Sequence, residues 1–130
     1  MPYRSYIKKC EEILTSFEKT QEQMLHLNLR SAGKDLLIQM KNMNGFFKQV
    51  LVELEVSSLK NSKDQFLINK QIERLQVFLK EIDLHVRGFY SNPPPDEMEI
   101  IFIFERQHLF KNILTKHLKD FTSIVTQINH

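Results

Sequence analysis

A chain of 130 residues with 42% hydrophobic and 26% charged side chains has the balance of one folded domain, not the composition of a disordered chain. Its 18 basic and 16 acidic residues are interspersed and leave a formal charge of +2. The basic stripe with which nucleic-acid binders neutralise phosphates is therefore missing. Three glycines and four prolines, three of them in one turn, favour long helices over many short strands.

One cysteine, Cys10, excludes an internal disulfide, and no cysteine–histidine cluster has zinc spacing. Residues 1–9 carry no apolar core of a secretory signal, and no apolar run approaches the roughly 18 residues of a membrane span. These features predict a protein of a reducing compartment, most simply cytoplasmic, with no membrane partner.

The first segment runs over about residues 3–29. Tyr6, Cys10, Ile13, Phe17, Thr20, Met24 and Leu27 recur at alternating steps of four and three, one stripe of an amphipathic helix. Cys10 lies within that stripe and reads as a small buried hydrophobe rather than a reactive thiol. Asn28, Ser31 and Gly33 interrupt the pattern and predict a turn near residues 29–33, with Ser31 as the N-cap of a second helix over about 32–58. There Leu36, Met40, Met43, Phe47, Val50 and Leu54 repeat the same steps. Asn44-Gly45 is a strong turn dipeptide, yet the apolar phase passes through it unbroken, which predicts one continuous helix.

Ser62-Lys63-Asp64-Gln65 has capping-box spacing and opens a third helix over about 63–88, with Ile68, Ile72, Leu75, Leu79, Ile82 and Val86 as its stripe. Gly88 is placed to end it, and Ser91-Asn92-Pro93-Pro94-Pro95 cannot continue it. The fourth segment, about 95–128, opens on Asp96 with Glu99 and then five large apolar residues, Ile100 to Phe104. That run has the composition of a buried strand, but nothing else in the chain could pair with it, so helix is expected. Its core face is assigned to Phe102, Leu109, Phe110, Ile113, Phe121, Ile124 and Ile128. The predicted fold is all-α: a single domain over residues 1–130, built as an antiparallel up-down-up-down four-helix bundle.

Bundles of this kind hold metals where carboxylates and histidines converge from facing helices. Glu22 with His26, Glu81 with His85, and Glu105 with His108 have helical spacing but point away from their apolar stripes, so no metal, cofactor or catalytic residue is assigned. Hemerythrin-type pairings and the arginine–histidine spacing of ribonuclease bundles do not occur, and no phosphate loop is present, which disfavours an enzyme.

Two features remain. Asn44, Gln71, Arg106 and His117 fall on or beside the core-facing stripes, where they predict either a polar layer that fixes register or a small-ligand pocket around Arg106 and His117. Conversely, Ile38, Val56, Val77, Leu84, Ile101 and Phe104 fall on the backs of their helices. Leu84, Ile101 and Phe104 are expected to form one apolar surface at the corner between the third and fourth helices. The function this favours is a non-enzymatic protein-interaction module, an adaptor, small chaperone or regulatory subunit, that binds another protein or itself as a homodimer. The alternative is a ligand-binding or catalytic bundle that uses the polar groups of the fourth helix.

Overall fold

The structure is a computed structural model that describes the backbone at residues 2–24, 29–57, 62–87 and 97–128, and side chains at 4–23, 35–53, 64–87 and 101–126. All of the described backbone is helical, in α1 (Pro2–Met24), α2 (Leu29–Ser57), α3 (Ser62–Arg87) and α4 (Glu97–Ile128). Each helix packs on the next and α1 closes against α4, so the four surround one core. α4 runs opposite to both of its neighbours, α1 and α3. Tyr6 meets His117 while Glu18 meets Lys111, and Gln71 meets Asp120 while Glu81 meets Arg106.

Four lines of buried residues hold the bundle together. They are Tyr6, Cys10, Phe17 and Thr20 on α1; Leu36, Met40, Met43, Phe47 and Val50 on α2; and Ile68, Ile72, Leu75, Leu79, Ile82 and Val86 on α3. On α4 the line is Ile103, Gln107, Phe110, Leu114, His117, Phe121 and Ile124. All four advance by alternating steps of four and three, with half-buried Ile13 filling the step between Cys10 and Phe17, the repeat that keeps a seam facing a left-handed supercoiled partner. Phe17 and Phe110 stack at 6.2 Å between centroids, and Phe121 meets the edge of Tyr6 at 4.7 Å.

Three expectations need correction. Residues 29–33 are already helical, so Ser31 is inside the first turn of α2 and not its cap; first-turn N–H groups have no intrahelical partner, so serine and glycine are tolerated there. The core face of α4 is rotated from the predicted one: Leu109 is exposed, Phe102 and Ile113 are half-buried, and Gln107 occupies a core position, while His117 faces the core as expected. Arg106 accordingly does not face the core. The proline turn, Gly88 and Asp96 lie outside the described residues. α2 continues through Asn44-Gly45 without a break, and Ile100 to Phe104 belong to a helix.

Candidate functional site

Polar groups inside the bundle converge on His117, which is fully buried. The Tyr6 hydroxyl lies 2.5 Å from His117 Nε2, His117 Nδ1 lies 2.9 Å from Gln71 Oε1, and Gln71 Nε2 lies 2.7 Å from Asp120 Oδ2. The directions of these bonds follow from the carboxylate. Asp120 only accepts, so the Gln71 amide nitrogen faces it and the Gln71 oxygen faces the histidine. His117 Nδ1 must then carry the proton, and Nε2 accepts from Tyr6. The result is a chain of donors pointing from α1, through α4 and α3, toward the carboxylate at the α3–α4 seam.

Phe47, from α2, meets the histidine ring edge-on at 5.5 Å, so all four helices contribute to this layer. Burial holds His117 down to about 4, against a partial opposing pull from Asp120, and pushes the Tyr6 hydroxyl up. Cys10, one turn beyond Tyr6, is likewise pushed up to about 12 by burial, which leaves it an inert thiol. Both imidazole nitrogens of His117 are engaged, and the rings of Tyr6, Phe47 and Phe121 pack around it.

Arg106 stands apart from this layer. It is half-buried at the α3–α4 edge, 3.6 Å from Glu81 and over the Phe102 ring at 4.9 Å. The expected pocket around Arg106 and His117 is therefore not formed: eleven residues separate them on one helix, roughly 16 Å along its axis, and they share no contact. The core position expected for Arg106 is held by Gln107, a fully buried amide whose nitrogen and oxygen have no hydrogen-bond partner.

The other polar candidates are also placed. Glu105 and His108 are exposed, and His85 packs against the edge of Phe102 at 4.8 Å. His26 lies outside the described residues. Among the described residues, no three of the His, Cys, Asp and Glu side chains are placed to share a metal ion, and no helix is long and apolar enough to cross a membrane.

The expected apolar corner is divided. Leu84 is exposed on the outside of α3 and Ile101 is exposed on α4. Between them stand the His85–Phe102 ring pair and the Arg106–Glu81 ion pair. Phe104 departs from its predicted place on the back of α4. Two residues beyond Phe102, it is turned about 200° around the helix, and there it packs half-buried against the core.

A different face gathers exposed apolar residues. Among the described residues, the five most exposed large hydrophobics, Ile38, Val52, Phe66, Val77 and Leu84, keep between 58% and 66% of their surface and all belong to α2 or α3. Ile38 and Val52 are fourteen residues apart with Gly45 midway, one line down the outside of α2; Val77 and Leu84 are seven apart on α3. Between these ridges runs a groove of about 370 Å³ lined by Lys41, Asn44, Lys48, Gln76, Leu79, Lys80 and Asp83. Lys41 reaches Asp83 at 3.5 Å, while Lys48 and Lys80 have no carboxylate partner among the described residues. Asn44, expected on the core face of α2, instead borders this groove half-buried, and its side-chain oxygen is unpaired.

Val52 and Phe66 were not singled out by the sequence, and Gly45 only as part of a turn dipeptide. Their signal lies in the seven-residue repeat itself, because each occupies an outward position once the buried line is fixed. A second groove of about 290 Å³ lies between α1 and α2, lined by Ser5, Tyr6, Lys9, Phe46, Gln49, Val50 and Glu53. No family model, curated protein or solved structure matches the chain.

Proposed function

We propose that this bundle is a protein-interaction module, non-enzymatic and cytoplasmic, acting as an adaptor, small chaperone or regulatory subunit. The observation that carries this reading is the clustering of the most exposed apolar side chains on the outer faces of α2 and α3. Scattered exposed hydrophobics are ordinary on any protein, but ridges flanking a groove are the usual form of a helix-binding surface. The polar groups capable of chemistry are, by contrast, dispersed or locked: His117 is walled in by rings, and Arg106 is paired with Glu81.

Ligand binding or catalysis through the polar groups of α4 is the second reading. It is favoured by one observation, that Tyr6 both lines the α1–α2 groove and meets His117.

Site-specific photo-crosslinking in cells of the source organism separates the two. A benzophenone side chain placed at Val77 or Leu84 should capture a discrete protein, and one placed at Thr15 on the outside of α1 should not. Placement at Ile101 tests whether the contact extends to α4. Equal capture from every position, or none from Val77 and Leu84, would retire the module reading.

A further inference from the structure

The α2–α3 face combines three things whose joint presence describes its occupant. Its apolar ridges carry Ile38 and Val52 on one side and Val77 and Leu84 on the other. The groove between them holds three lysines against one carboxylate, and of the three only Lys41 has a carboxylate partner among the described residues. Midway along the α2 ridge is Gly45, where an added Cβ would meet nothing within 4 Å.

Glycine in the middle of an exposed helix is a poor choice for folding alone, and the folded chain has no steric need of it here. A missing side chain on an outer face is useful where another backbone must come close. The ridge from Ile38 to Val52 spans fourteen residues, roughly 21 Å, which is four turns of a second helix.

Resting on the interaction-module reading, we infer that the partner presents an acidic amphipathic helix. It lies along the α2–α3 groove with apolar residues against Ile38, Val52, Val77 and Leu84, carboxylates on Lys48 and Lys80, and its backbone crossing α2 at Gly45. A second copy of this chain fits poorly, because a two-fold contact through this face would set its lysines against the same lysines. An anionic membrane would meet the charge, but a bilayer surface has no use for a concave groove or for the gap at Gly45.

The test uses the full chain and a hydrocarbon-stapled peptide of about 18 residues, with leucine at helical heptad spacing and glutamate on both flanks. A counterpart carries lysine for every glutamate, and fluorescence anisotropy reads both. The acidic peptide should bind at least about tenfold tighter than the basic one, weaken as salt is raised, and perturb the side-chain amide resonances of Asn44 and Gln76. Lys48→Glu with Lys80→Glu should reverse the preference between the two peptides. Gly45→Leu should weaken the acidic peptide about tenfold with unchanged helical circular dichroism.

Equal binding of both peptides, resonance changes confined to α1 and α4, or binding to phosphatidylserine vesicles in place of the acidic peptide would each overturn the inference. The two readings fail separately. If Val77→Asp with Leu84→Asp abolishes the crosslinked native partner while Lys48→Glu with Lys80→Glu retains it, the module stands and the acidic helix falls. If neither pair of changes affects that partner, both fall.

Discussion

Acidification should destabilise this bundle through His117 in a defined window. In the folded chain the imidazole is fully buried, its Nε2 accepts from Tyr6, and burial holds it neutral down to about 4. In the unfolded chain it titrates at its ordinary value of 6.5. Between these values the unfolded state binds a proton that the folded state refuses, so stability falls as pH falls. The contribution is fully present above pH 6.5 and is lost by the time pH has passed through 4. The gap, at about 1.4 kcal/mol for each pH unit, amounts to roughly 3 kcal/mol, a large fraction of a small domain's stability. The structural reason is burial: a protonated imidazole would hold its charge away from water in the bundle core, and Tyr6 would have to turn its hydroxyl from donor to acceptor. Urea unfolding at intervals from pH 7.5 to 4, on the wild type and on His117→Gln, isolates the effect. Every other titratable group is common to both proteins and cancels in the difference. The wild type should lose roughly 3 kcal/mol more than the variant across the window. Parallel pH profiles, or an imidazole resonance for His117 that titrates near 6.5, would refute the reasoning.

Two further substitutions follow from the same core. Gln107→Leu removes a buried amide with neither atom paired and should stabilise the protein by about 1–3 kcal/mol in chemical denaturation; a loss of stability would mean that the amide is satisfied in solution. Arg106→Leu breaks a half-exposed pair with Glu81 and should change stability by less than about 1 kcal/mol by the same measurement; a loss of several kcal/mol would place Arg106 in the core after all.

Three of the four helices were legible in the sequence with their faces, and the fourth only as a helix. On α1, α2 and α3 the apolar residues are sparse enough that a single phase accommodates them, and it is the phase that packs. On α4 apolar residues surround the helix near its start, from Ile100 to Phe104, so counting them favours no face. The true line passes through Gln107, which a search for apolar residues reads as a gap, and through His117, which was read as core-facing. Continuity of the four-and-three step, rather than hydrophobicity position by position, would have assigned Gln107 to the core and released Arg106 to the edge. The error spread to the surface: rotating α4 turned Phe104 inward and separated Ile101 from Leu84. Val77, Leu84 and Ile38 were found as exposed because their helices were correctly phased. The α2–α3 groove was out of reach, since it depends on which helices are neighbours and at what register.

The core and the outer face depart from the simplest bundle in opposite ways, and the departures are physically separable. Inside, His117 and its partners occupy positions that leucine could fill, and their geometry ties all four helices to one register. Outside, aliphatic residues stand where lysine or glutamate would serve folding equally well, and Gly45 stands where alanine would serve it better. Changes in the first group should therefore act on stability and its pH dependence with the surface chemistry unaltered. Changes in the second should leave the unfolding transition almost where it was, or raise it slightly, and act on association. A side chain that is neutral for folding and exposed to water is under no constraint from the monomer, so the order found on the α2–α3 face, ridges in line about a cationic groove, is what the proposed helical partner would account for.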